Sequence, residues 1–258
     1  MKNVITIMMI VLLILFMACG QDKSGPQKSL EEIKAEFDNV GLLHNAELEE
    51  IHKLFRESNE PLTEVTARAL VDAHLAQYCS RNTESVSELT LLLNNIKILA
   101  KAANNNEVIA KLADSLEIYS NYKEVFDSIA FILDSELRIQ DKVKNLESIY
   151  LFIDENVYDI EDRQALLSGL STTIHSVPYW DENFGDWQQT LDSSMAKTTI
   201  GLAGAIGLID GAGAVVGTIE GFRDIPKGTD KRGLKIVRRA AGEGVKTSAF
   251  TLLSVLLL

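Results

Sequence analysis

Apolar residues through the middle of this chain recur at steps of three and four, and strict apolar–polar alternation is absent. Val86, Leu89, Leu93, Ile96, Ala100 and Ala103 form the longest such stripe. Leu48, Ile51 and Phe55 repeat it, as do Tyr122, Val125, Ile129 and Ile132, and again Val143, Leu146, Tyr150, Ile153 and Val157. That spacing places side chains on one face of an α-helix and cannot line one face of a strand. Residues 29 to about 175 therefore predict consecutive amphipathic helices. The fold class is all-α, with helices in an antiparallel array or bundle and a glycine-rich C-terminal helical segment or hairpin.

Local signals mark the ends. Ser29-Leu30-Glu31-Glu32 has the spacing of a capping box. Gly41 is expected to end that helix and Asn45 to cap the next, which Asn59-Glu60-Pro61 stops. Leu62 to Tyr78 continues in the same style, and Asn104-Asn105-Asn106 is a break. Proline is scarce and expected between helices. No fixed-period internal repeat stands out.

The charge is divided. Residues 19–195 hold 15 basic and 32 acidic side chains, a net of −17, while residues 196–258 hold 9 and 5, a net of +4. Phosphate recognition rests on Lys and Arg, so nucleic acid is a poor partner for the acidic part.

The N-terminus has the layout of a secretory signal: Lys2, an apolar run from Val4 to Met17 interrupted only by Thr6, then a small residue and a cysteine. The run is short for a bilayer span, which needs about 20 residues. Phe16-Met17-Ala18-Cys19 resembles a bacterial lipobox, and the resemblance identifies residues 1–18 as a signal peptide of a lipoprotein precursor. It implies that Cys19 is diacylated and becomes the first mature residue, placing the protein in the cell envelope. Gly20 after the cysteine is compatible with the outer membrane, in either leaflet. Residues 19–28 then read as a polar tether. With Cys19 acylated, Cys79 is left as the remaining thiol, so an intramolecular disulfide is excluded; a buried inert thiol is expected. Gly41-Leu42-Leu43-His44-Asn45 with Leu48 resembles a G-x-x-H-N-x-x-L stretch of uncharacterised Gram-negative envelope lipoproteins, a resemblance that implies no activity.

Residues 29–176 read as an acidic helical domain and 177–195 as an aromatic–acidic connector. Tyr179, Trp180, Phe184 and Trp187 there are expected to staple the body to the C-terminal region, with a partner contact as the alternative. The same connector has wrong residues, Gly185 and Asp186, for a calcium loop beginning at Asp181. Glu49-x-x-His52 has di-iron spacing but lacks its second copy, and Asp72-x-His74 is not a same-face pair. No Gly-x-Ser-x-Gly elbow is present. Gly211-x-Gly213-x-x-x-Gly217 lacks the βαβ context of a dinucleotide turn. No catalytic, cofactor or metal residue is assigned.

Residues 196–258 are the second distinctive region. Gly207 and Gly211, then Gly213, Gly217 and Gly221, have small-xxx-small spacing, which lets another backbone approach closely. The segment resembles glycine zippers of membrane-associated and pore-forming peptides. Its seven strongly apolar residues favour insertion by about 0.3–0.6 kcal/mol each, and Asp210 opposes it by about 2.5–3.5, so the terms nearly cancel. Asp210-Gly211 is also a turn signal. Arg232, Lys235, Arg238 and Arg239 could attract anionic lipid or the chain's own acidic body. The functional expectation is a lipid-anchored, non-enzymatic interaction module with an unidentified protein partner, its tail serving self-association or membrane contact. The alternative is a toxin-like effector whose tail oligomerises in a bilayer, and an envelope hydrolase ranks last.

Overall fold

The structure, a computed structural model, describes residues 28–59, 61–76, 120–191 and 201–256. Among them are seven helices: α1 (Leu30–Glu57), α2 (Glu64–Leu75), α3 (Lys123–Asp134), α4 (Ile139–Asn156), α5 (Ile160–Thr190), α6 (Gly201–Asp224) and α7 (Arg232–Leu256). The lipobox, Cys79 and the stripe from Val86 to Ala103 lie outside the described residues.

Sequence signals hold at several ends. Ser29 accepts from the Glu32 amide while Glu32 accepts from the Ser29 amide at 2.7 Å, completing the box. Thr63 and Thr66 do the same for α2. Asp159 caps α5 through the amides of Glu161 and Asp162, both at 2.9 Å. Lys142, buried, donates to the Leu133 carbonyl at 2.6 Å and so satisfies the C-terminal end of α3.

Three expected breaks are not breaks. Gly41 and Asn45 lie inside a continuous α1. A Cβ on Gly41 would come within 2.7 Å of the Ser171 carbonyl oxygen, so the glycine serves close helix approach there. Asn45 donates from Nδ2 to the His175 carbonyl at 2.9 Å. The connector is likewise helical as far as Thr190, with Pro178 inside α5. An interior proline costs roughly 3 kcal/mol and removes one backbone donor. Burial of Tyr179, Trp180 and Trp187 around it offsets that cost. Asp210-Gly211 is interior to α6, and the chain instead reverses at 225–231, where Gly228 and Lys231 take positive φ (90° and 53°).

One core cluster takes residues from every helix from Ile33 to Leu253, so the helical domain and the C-terminal region share an interior. Helix α5 lies at its centre. From Ala165 to Ile174 every one of its residues is buried, which removes the usual polar face. Successive contacts fix the directions. Asp38 meets His175 and His52 meets Thr190, so α1 and α5 run the same way. Gly169 faces Gly211 and Val177 faces Gly207, so α6 is antiparallel to α5. Gly213 faces Thr247 and Gly221 faces Ile236, so α7 turns back again. The glycine-rich region is thus a helical hairpin packed into the body.

Candidate functional site

The five zipper glycines divide between two neighbours. Gly207 and Gly211 face α5, and Gly213, Gly217 and Gly221 face α7. The α5 contact is reciprocal: a Cβ on Gly169 would sit 2.8 Å from the Gly211 oxygen, and one on Gly211 would sit 2.8 Å from the Gly169 oxygen. On the other side a Cβ at Gly217 would lie 2.8 Å from the Arg239 oxygen and 2.9 Å from the Ala240 Cα. Contacts with backbone cannot be relieved by a rotamer change. Close packing on both sides compensates the roughly 1 kcal/mol that each glycine costs a helix.

This close approach encloses a polar cluster where α1, α5, α6 and α7 meet. His44 and Asp210 are wholly buried, with Nε2 and Oδ2 3.6 Å apart. Oδ2 accepts from the Trp180 indole at 2.9 Å and from the Ser176 hydroxyl. Oδ1 has no hydrogen-bond partner. Asn45 already donates to the His175 carbonyl, so its Oδ1 accepts from His44 Nδ1 at 3.0 Å, leaving Nε2 to accept from Ser248 at 3.2 Å. Burial raises the Asp210 pKa to about 7, against opposing hydrogen bonds from Ser176 and Trp180. Burial also lowers that of His44 to about 4, opposed in part by Asn45. Between about pH 4 and 7 the cluster is therefore a neutral imidazole beside a protonated carboxyl.

Serine, histidine and aspartate meet here without forming a nucleophile relay. A relay places nucleophile and acid on opposite ring nitrogens. Here Ser248 and Asp210 both approach Nε2. All three side chains are closed off from solvent, so a substrate has no access.

A second buried cluster lies nearer the hairpin turn. Arg239, 3% exposed, meets Glu220 at 2.6 Å and Asp224 at 2.9 Å, with Glu243 also buried. Burial raises the Glu220 carboxyl pKa, and Arg239 pulls it back down. Arg239 therefore cannot serve as a lipid contact, because the chain's own carboxylates hold it. Arg232 is occupied as well, donating to the Phe222 and Ile225 carbonyls at 2.9 and 2.8 Å. Lys235 and Arg238 remain exposed, together with Arg223, Lys227 and Lys231, which the sequence pattern did not single out.

The four aromatics proposed for a partner contact are all buried. Trp187 stacks on His52 with ring centroids 4.5 Å apart and donates to the Tyr179 hydroxyl at 2.9 Å. Trp180 packs edge-on to Tyr179 at 5.2 Å. They fasten α1 to α5 and offer no surface to a partner. The remaining histidine pairings join helices: His74 meets Glu47 at 2.7 Å and His175 meets Asp38 at 3.4 Å, while Asp72 meets Lys246 at 2.9 Å. No group of metal-ligating side chains occurs among the described residues.

One sequence signal for the central cluster was present. His44 falls on the buried α1 stripe of Phe37, Val40, Gly41, Leu48 and Ile51, and Asp210 is the lone charge in an apolar glycine run. Their meeting depends on the helix directions. Comparison with protein families, with curated proteins and with solved structures finds no match.

Proposed function

We propose that this chain is a lipid-anchored, non-enzymatic interaction protein of a bacterial cell envelope, working through its exposed acidic helical body. The observation that carries the reading is the use of the glycine stripes. Gly207 and Gly211 are spent on α5, and Gly213 and Gly217 on α7, so the zipper builds the body and is not offered to another copy. Among the described residues, α1 to α4 turn polar faces outward, on a chain whose residues 19–195 carry a net charge of −17. Such a surface favours a basic protein partner and sets its encounter rate more than its affinity. The lipobox-like Phe16-Met17-Ala18-Cys19 supplies the anchor: two or three acyl chains hold stably where one does not.

The test is mass spectrometry of the mature N-terminus together with cross-linking on intact cells. An acylated Cys19 and cross-links from α1 to α4 to a second protein are expected. Recovery of soluble protein that retains Met1 would overturn the reading.

A second reading is favoured by one observation. Ala203–Asp224 is the one described stretch long and apolar enough to cross a bilayer, although 83% of its most apolar window is buried in the body. A membrane-active effector would have to withdraw this hairpin and insert it. Dye release from anionic liposomes separates the two: leakage that disappears on deleting residues 196–258 favours the effector.

A further inference from the structure

The seven cations from Arg223 to Arg239 sort into two sets. Arg232 and Arg239 are occupied by carbonyls and carboxylates of the hairpin itself. Arg223, Lys227, Lys231, Lys235 and Arg238 are exposed. On α7, Leu234, Lys235 and Arg238 stand at steps of three and four from one another or adjacent, hence on one face, with Leu234 47% exposed among them and exposed Lys231 in the turn just before the helix. Among the neighbouring carboxylates, Glu220 and Asp224 are held by Arg239, and Asp230 is exposed.

Helix directions place this face at a particular end of the body. Val40 packs with Ala240 and Ala241, and His44 meets Ser248, so α1 and α7 run the same way. At 1.5 Å per residue, Leu30 lies about 15 Å beyond Val40, and Lys231 about 14 Å beyond Ala240 toward the same end. The start of α1 and the hairpin turn therefore share one pole. Eight residues lie between Cys19 and Lys28, and that much chain reaches at most about 30 Å. An acyl-anchored Cys19 would keep this pole close to the bilayer.

We propose that the exposed basic face at the α6–α7 turn lies on anionic lipid headgroups and orients the body on its membrane. Charge complementarity selects this occupant. Exposed Glu31, Glu36, Asp159 and Glu161 lie at the starts of α1 and α5, at the same end, and would be repelled by an anionic surface. The α7 edge is the part of that end an anionic surface attracts, with Leu234 available to the headgroup boundary. The inference uses the lipid-anchor reading to bring a membrane near, but headgroup recognition is a separate claim about this face.

The test uses the mature chain with Cys19→Ser, so that no acyl chain contributes, and sedimentation with vesicles. Vesicles of phosphatidylglycerol mixed with phosphatidylcholine should bind it, and those of phosphatidylcholine alone should not. Lys227→Glu, Lys231→Glu and Lys235→Glu together should lower binding at least tenfold, since each cation near an anionic surface is worth about fivefold. Melting temperature should not change, because the three side chains are exposed. Charge reversal at exposed Lys123 on α3 should leave binding as it was. Equal binding to both vesicle types, or retention after the triple reversal, overturns the proposal. So does a wild-type dimer that the triple reversal dissolves, because the face would then dock on another copy. An unacylated Cys19 found in cells would sink the anchor while leaving headgroup binding intact. An acylated Cys19 with no headgroup preference would do the reverse.

Discussion

Two buried polar clusters lie along the same hairpin and resolve their charge in opposite ways. At mid-height, Asp210 faces a neutral His44, with hydroxyls and an indole as its donors. Near the turn, Glu220 and Asp224 face the guanidinium of Arg239. The difference comes from distance to water. Four helices enclose Asp210, whereas Asp224 and the adjoining Arg223 keep solvent contact. Deep burial penalises any charge, so the central pair stays neutral by holding one proton on the carboxyl. Near the turn the Arg239 guanidinium, 2.6 Å from Glu220, opposes the effect of burial on that carboxyl.

Removing the cation should give the largest effect. Arg239→Met leaves Glu220 and Glu243 buried without their counter-charge, and a broken buried pair costs about 3–5 kcal/mol. Urea denaturation at neutral pH should show that loss, with partial recovery in acid as the carboxylates protonate. A change under 1 kcal/mol would mean that water already reaches this cluster.

The central pair should show itself through pH. Asp210, with its folded pKa raised from 3.8 to about 7, adds stability that is full below pH 4 and is lost as pH rises through 7. His44, lowered from 6.5 to about 4, adds stability that is full above pH 6.5 and is lost as pH falls through 4. Between those limits the two trends cancel, since the unfolded chain keeps the proton on imidazole and the folded chain keeps it on carboxyl. Wild-type stability should be nearly flat in this pair's contribution from pH 4.5 to 6.5. His44→Gln should then lose stability as pH rises, and Asp210→Asn should gain it, each by up to about 1.4 kcal/mol per pH unit. A slope of the opposite sign in either variant would show that burial does not hold the remaining group neutral.

The glycines separate the clusters sterically. Gly211→Ala presses on the Gly169 carbonyl beside the neutral cluster, and Gly217→Ala presses on the Arg239 backbone beside the charged one. Each should cost about 1–3 kcal/mol by overpacking. Gly217→Ala should also raise the salt sensitivity of stability by opening an ion pair to water, an effect Gly211→Ala should lack. The smallest change is at the surface: Ser29→Ala removes a cap worth about 1 kcal/mol, read by thermal melting.

Many of the elements behind this contrast are legible in the sequence. Three-and-four spacing identifies helices at Tyr122–Ile132 and Val143–Val157, and the box at Ser29 starts α1, because these signals are local. The same rules misjudge Gly41, Asp210-Gly211 and Pro178. Each is a helix breaker in isolation, and each lies inside a helix here because packing outweighs a local cost of about 1–3 kcal/mol. The aromatics 179–187 are legible as a staple with a partner contact as the alternative while 177–195 is read as a connector, and their burial along a continuous α5 removes the alternative.

From the sequence alone come an all-α chain, a lipobox-like start and a glycine region built for close approach, since periodicity and residue size are properties of short segments. Tertiary structure decided what the glycines touch, which arginines are left for the surface, and that His44 and Asp210 meet. Those outcomes depend on helix direction and register across more than 160 positions. Burial, which no residue carries in its own identity, then sets which groups hold charge.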